Sequence, residues 1–159
     1  MRNNREHIEY HLLKRRNSFS EIFSFLREID KDFPVFLSSK CSLEDLANKF
    51  DQHADVVAAV DKNVLVGLIA AYISNSKEEL AFVSVLGVNK EYRGIGIGNR
   101  LLVELIKVAK KYRSKIKGLH LYTTDSNINA IKLYEKNGFK IVKFDNEKRQ
   151  NDLHMALYF

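Results

Sequence analysis

A chain of 159 residues, 45% hydrophobic and 29% charged, has the size and balance of one globular domain with a single core. Its one cysteine, Cys41, excludes an internal disulfide and a cysteine metal cluster, and no window reaches the roughly 18 uninterrupted apolar residues of a membrane span. The net charge of +6 favours an anionic partner, which a phosphate-bearing ligand or nucleic acid would satisfy; a solvated lysine-rich surface would give the same sum.

The start of the chain, Met1 to His7, is polar and no apolar run follows it, so a cytoplasmic protein without a signal peptide is expected. Ile8–Leu13 reads as a short strand. Ser18-Phe19-Ser20-Glu21 has the pattern of a capping box, and Phe19, Ile22, Phe23, Leu26 and Ile29 then keep helical spacing. Phe33-Pro34 ends that helix, because proline disfavours helical geometry in the residue before it. A second such pattern, Ser42-Leu43-Glu44-Asp45, opens a shorter helix to about Phe50.

The period then changes to that of strands. Ala54–Val60 and Val64–Ser74 flank the turn Asp61-Lys62-Asn63, and Leu80–Val88 follows a turn at Asn75-Ser76-Lys77. Gly96 to about Tyr112 carries Leu101, Leu102, Leu105, Ile106 and Ala109 on one helical stripe. Gly118–Thr123 is a strand, and Asn127–Asn137 a helix closed by Gly138, where a left-handed conformation has little steric cost. Strands at Lys140–Phe144 and Leu153–Tyr158 flank the polar run Asp145–Asp152. The order β-α-α-β-β-β-α-β-α-β-β, without linker or repeat, predicts one mixed α/β domain over residues 1–159.

The stretch from Gly87 to Asn99 carries the most chemistry. Its glycines, Gly94, Gly96 and Gly98, lie between a strand and an amphipathic helix, where unpaired N–H groups and the positive end of the helix dipole are presented. A diphosphate can accept those N–H groups only at about 2.9 Å, an approach that side chains at these positions would obstruct. Arg93 adds a fixed positive charge at the mouth. The same glycines would equally serve a tight turn with unusual backbone angles. No Gly-Lys-Ser/Thr follows them, which excludes a P-loop, and the Gly-x-Gly-x-Gly spacing after three antiparallel-looking strands does not fit a dinucleotide fingerprint.

Arg93-Gly94-Ile95-Gly96-Ile97-Gly98 resembles the Arg/Gln-x-x-Gly-x-Gly/Ala signature of the GNAT acetyltransferases. Asn127 to Phe139 resembles that family's second segment, Asn-x-x-Ala-x-x-Leu-Tyr-x-x-x-Gly-Phe, at Asn127, Ala130, Leu133, Tyr134, Gly138 and Phe139. The two motifs lie one helix and one strand apart, as in the family, and with their surroundings cover about half the chain. The resemblance implies an α/β (α+β) domain. Its mixed, mostly antiparallel sheet of six or seven strands would be flanked by about four helices and splayed between the fourth and fifth strands.

The resemblance further implies acetyl-coenzyme A (acetyl-CoA) as cosubstrate, without a metal. Val88 would pair with the pantetheine amides, beside Gly87, and the N–H of Leu86 would face the acetyl carbonyl and stabilise the oxyanion developing there. Amides from Arg93 through Gly94, Ile95, Gly96, Ile97 and Gly98 to Asn99 would hold the pyrophosphate. Asn127 would bond near the pantetheine, and Ala130 would leave room beside it. Tyr134 matches the general acid that protonates the departing thiolate, since a phenol is protonated at neutral pH; read without the motif, it is a buried tyrosine packing beside Leu133 and Phe139.

The pattern departs from the family at the general base. Phe82 stands where relatives often carry a glutamate on the fourth strand. Glu78 and Glu79 read as a solvated turn, Asp125 as a helix cap or a base acting through water, and His120 and His154 more as packing or surface residues than as bases; a water chain or a substrate amine of lowered pKa would serve equally. The acceptor expected is a small-molecule amine, such as an amino sugar or amino acid, between an aromatic patch at Phe33–Ser38 and the polar run after the sixth strand. A protein N-acetyltransferase and a catalytically silent acyl-CoA-binding sensor are the alternatives. Lys107, Lys110, Lys111, Arg113, Lys115 and Lys117 crowd a helix C-terminus, where cations complement the dipole, and no nucleic-acid-binding pattern accompanies them. Neither nucleic acid nor membrane is therefore an expected partner, and the protein is expected to be a monomer or homodimer.

Overall fold

The computed structural model describes residues 7–143 and 152–159. In chain order these form strand β1 (Ile8–Leu12), helices α1 (Phe19–Ile29) and α2 (Leu43–His53), and strands β2 (Asp55–Asp61), β3 (Val64–Tyr72) and β4 (Leu80–Val88). Helix α3 (Ile97–Lys110), strand β5 (Gly118–Thr124), helix α4 (Ile128–Lys136) and strands β6 (Lys140–Ile141) and β7 (Asp152–Tyr158) complete them. The elements come in the expected order, with ends moved by a few residues. Phe144 and the polar run up to Asn151 lie outside the described residues. Among the described residues, no helix is long and apolar enough to cross a membrane.

The seven strands form one sheet in the order β1-β2-β3-β4-β5-β7-β6. Every neighbouring pair is antiparallel except β4 and β5. The β2–β3 hairpin turns on Lys62 at φ 47° and Asn63 at φ 66°, the pair of left-handed residues that a two-residue turn needs to match the strand twist.

Because strand side chains alternate, the sheet offers an apolar surface on each face. Leu101, Leu102, Leu105 and Ala109 of α3 cover Val57, Val66, Ile69 and Val83 on one of them. Ile22, Leu26 and Ile29 of α1 and Phe50 of α2 cover Val56, Leu68, Ala70 and Val85 on the other. Two helix starts that look alike in sequence are built differently. Ser42 accepts the Asp45 N–H at 3.2 Å, as its pattern predicts. Ser18 makes no such cap; its hydroxyl donates to the Lys14 carbonyl at 2.9 Å, and its N–H donates to the Asp51 carboxylate at 2.9 Å. Here a tertiary partner on α2 replaces the local cap and ties the start of α1 to the end of α2.

Two features of β4 set up the site. Ala71 pairs with Val83 but Ala70 pairs with Val85, so Ser84 is the extra residue of a β-bulge. The bulge resets the alternation: Val83 packs under α3 and Val85 under α1 and α2. The second feature is a brief partnership with β5. They pair only at Leu80–Gly118, Ala81–Leu119 and Phe82–His120, after which β4 is left alone on that side while β5 stays paired with β7 to Thr124.

Gly118 marks where the sheet is tightest. A Cβ there would stand 1.9 Å from the Leu157 carbonyl oxygen. Gly118→Ala is expected to force β5 and β7 apart and to destabilise the domain by about 1–3 kcal/mol in urea unfolding; unchanged stability would show that β7 can move aside.

Candidate active site

The loop leaving β4 is fixed before it reaches the glycines. Asn89 accepts the Glu91 N–H through its side chain at 2.9 Å, and residues 90–92 make a single tight turn. Tyr92 donates its hydroxyl to the buried Asp61 carboxylate at 2.6 Å, anchoring the turn to the β2–β3 hairpin. That hydrogen bond to Asp61, then burial, raises the Tyr92 pKa.

Beyond the anchor the backbone turns left-handed twice, at Gly94 with φ 79° and Gly96 with φ 91°. A Cβ on either would meet nothing within 4 Å, so inside the protein it is the backbone angle, and not crowding, that requires glycine there. Gly96 is the N-cap of α3, and its carbonyl takes the first helical bond from the Arg100 N–H at 3.0 Å. The N–H groups of Ile97, Gly98 and Asn99 therefore have no acceptor within the helix and sit at the positive end of its dipole.

The free edge of β4 can be read from its register. The Asn89 N–H donates to the Val66 carbonyl at 2.8 Å, which makes those two residues a hydrogen-bonded pair. Antiparallel pairs alternate, so Gly87 and Val85 bond across to β3, whereas the backbone groups of Leu86 and Val88 point the other way, into the opening left by β5. Arg93 occupies part of that edge. Its Nε donates to the Val88 carbonyl at 3.0 Å and its Nη2 to the Asp32 carboxylate at 3.0 Å, so the charge expected at the loop mouth also bridges β4 to the short turn that follows α1.

Helix α4 closes the other wall. Asn127, and not Asp125, is its cap: the Asn127 side chain accepts the Ala130 N–H at 3.3 Å. Tyr134 is 8% exposed, with its ring 5.7 Å from that of Phe139, and burial pushes its phenol up to about 12.

All these parts border one cleft of about 1080 Å³. Every site residue expected from the sequence lies on its wall except Ile95, whose side chain packs against the core beneath α3. The aromatic patch contributes Phe33, Pro34 and Val35, and Asp152 contributes a carboxylate. Of the possible bases, Asp125, the Glu78–Glu79 turn, His120 and His154 all stay off the wall.

One cluster was not read from the sequence. His120 and His154 hydrogen-bond through Nδ1 and Nε2 at 2.9 Å, and the Tyr122 ring stacks on His154 with centroids 4.3 Å apart. The spacing of His120 and Tyr122 on one strand would have put them on a common face. Nothing local connects either to His154, which the β5–β7 register brings opposite Tyr122.

Residues 22–139 match the family model described as Acetyltransferase (GNAT) family. The chain is 31% identical over 86 residues to the spermine/spermidine N(1)-acetyltransferase of Bacillus subtilis (strain 168), the match covering 52% of this chain and 55% of that protein. It is 27% identical over 82 residues to N-alpha-acetyltransferase 50 of Danio rerio, covering 51% and 48% of the two. It thus spans about half the length of the relatives it matches. In fold it resembles the PaiA N-acetyltransferase of Thermoplasma acidophilum, solved in complex with coenzyme A, at TM-score 0.73 and 24% identity over 96% of this chain and 99% of that one.

Gly96→Val places a β-branched side chain at φ 91° and over the helix start. The strain should cost about 1–2 kcal/mol and leave the fold intact. Affinity for coenzyme A, read by calorimetry, should fall at least tenfold, about 1.4 kcal/mol or more; unaltered affinity would move the diphosphate away from this loop.

Proposed function

The chain belongs to the acetyltransferase (GNAT) family, and from that premise we propose that it transfers an acetyl group from acetyl-CoA to the primary amine of a small molecule. One observation carries the reading: β4 turns the backbone groups of Leu86 and Val88 into a cleft from which its partner strand has withdrawn. Unpaired strand amides beside a wide opening are an edge built to pair with an extended, amide-bearing ligand, which is the chemistry of pantetheine.

The rest of the wall fits the same ligand. The N–H groups at the start of α3 suit its diphosphate, with Arg93 alongside, and Asn127 and Ala130 stand next to the path between. Bound acetyl-CoA supplies the acyl group as a thioester. The N–H of Leu86 stabilises the carbonyl oxygen as it takes up negative charge.

Tyr134 serves the leaving sulfur. Burial keeps its phenol protonated across the physiological range, so a donor is always present. A phenol at about 12 is, however, a weaker acid than a thiol at about 8.5, so its main contribution is a hydrogen bond to the sulfur as charge builds on it.

Two features support a small amine as acceptor. The cleft wall carries the aromatic rings of Phe33, Phe82 and Tyr122 and the acidic residue Asp152, a combination suited to an ammonium group. The Bacillus relative is named for spermine and spermidine, which are small polyamines. The Danio relative, an N-alpha-acetyltransferase by name, supports the second reading, a peptide amino terminus.

Thiol release from acetyl-CoA, screened over spermidine, glucosamine and an alanyl peptide, tests the reading directly. Release with at least one amine is expected; coenzyme binding with no release would leave a silent binding protein. Tyr134→Phe should lower kcat about 10²-fold with little change in coenzyme affinity. Because the phenol loses its proton only near 12, wild-type kcat should show no alkaline fall from this group below about pH 11.

A further inference from the structure

Phe82 and His120 form the last rung that joins β4 to β5, and the same row runs on to Tyr72 of β3 and Ala156 of β7. At this rung the β4 side chain has no proton chemistry, and its cross-strand neighbour does. The ring of His120 is held from three directions. Phe82 lies 5.3 Å away and Tyr122 6.2 Å away between centroids, and His154 takes Nδ1. Phe82 and Tyr122 both border the cleft, and His120, not itself on the wall, lies directly behind it between these two rings at the point where the strands part. His120 is half-buried and His154 is buried. Among the described residues, nothing hydrogen-bonds His120 Nε2.

We propose that His120, held in place by His154, accepts the proton released by the attacking amine, a role that rests on the acetyltransferase reading above. As the amine lone pair forms the C–N bond to the acetyl carbon, the C–S bond breaks and sulfur keeps its electron pair. The nitrogen, its lone pair committed, becomes acidic and gives its extra proton to His120 Nε2. Nδ1–H of the resulting imidazolium donates to His154 Nε2, so His154 carries its own proton on Nδ1. The positive charge stays on one ring of the pair, because two imidazolium rings in contact would repel. Release of the proton to solvent resets the pair.

Burial first, and His154 second, hold His120 below the ordinary histidine pKa. Its accepting form therefore predominates at neutral pH and is lost as pH falls through the lowered value. The titratable groups nearest it are Tyr122 on β5 and, on the same face of β7, His154 and Asp152; β4 presents only Phe82, with Tyr72 on β3 behind it. Burial raises Tyr72 to about 12, which leaves it uncharged.

The experiment uses the whole chain, acetyl-CoA and whichever amine of the screened set gives the fastest thiol release. His120→Gln should lower kcat/KM about 10²-fold at pH 7 and remove the acid limb of its pH profile, with the acetyl-CoA Kd within roughly twofold of wild type. His154→Gln should displace that limb. On the wild type, histidine-selective NMR should give the pair an apparent pKa that coincides with the limb. A His120→Gln enzyme with wild-type rate and profile, or a pair pKa far from the limb, overturns the role. A wild type that releases thiol with no amine overturns the transferase reading itself, and this role with it.

Discussion

The parallel pairing of β4 with β5 stops after the Phe82–His120 rung, and the rest of the site follows from what that leaves behind. A central strand normally satisfies its N–H and C=O groups on both sides. From Val83 onward β4 does so only toward β3, so the groups of Leu86 and Val88 must find other partners. Arg93 meets one of those demands through the Val88 carbonyl. The others open on a cleft, where water or an amide-bearing ligand can meet them at little expense in structure. The divergence is stable because each strand keeps one full partner, β4 along β3 and β5 along β7.

The loop and helix beyond β4 are positioned by the same economy. Tyr92 pins the turn to Asp61 before the chain enters its two left-handed glycines, so α3 starts at a fixed place relative to the free edge. The buried stripe of α3 then clamps it to the sheet face that carries Val83. An ordered start of α3 keeps the three N–H groups pointing at one region of the cleft. Helix α4 arrives from the opposite side and places the Tyr134 phenol on the same cavity, buried enough to stay protonated.

Much of this was legible in the sequence because it is local. Helical and strand periods gave the elements, and glycines between a strand and an amphipathic stripe gave the left-handed turn into α3. Asn127 to Phe139 gave the second wall by its likeness to a family segment. What stayed hidden depends on register. Ser84 looks like any other residue of an apolar strand; only the offset between its neighbours' partners shows that it is a bulge. His154 meets Tyr122 because β7 runs antiparallel to β5, and no spacing rule spans the intervening helix and loop. Ser18 carries the sequence of a cap, but Asp51 on another helix takes its N–H and its hydroxyl turns back to Lys14. Each miss is a case of a tertiary partner deciding what a local pattern left open.

The bulge at Ser84 divides β4 into two stretches with different work. Before it, side chains such as Phe82 border the cleft; after it, the main chain at Leu86 and Val88 does, and in the proposed transfer these are the acceptor end and the donor end. Main-chain groups are the same in every residue but proline, so the donor end can absorb most substitutions without losing its recognition elements. The acceptor end is written in side chains and changes with each one. A strand organised in this way can be retargeted from one amine to another by mutation on one side of a single residue, while its hold on the common acyl carrier is inherited unchanged.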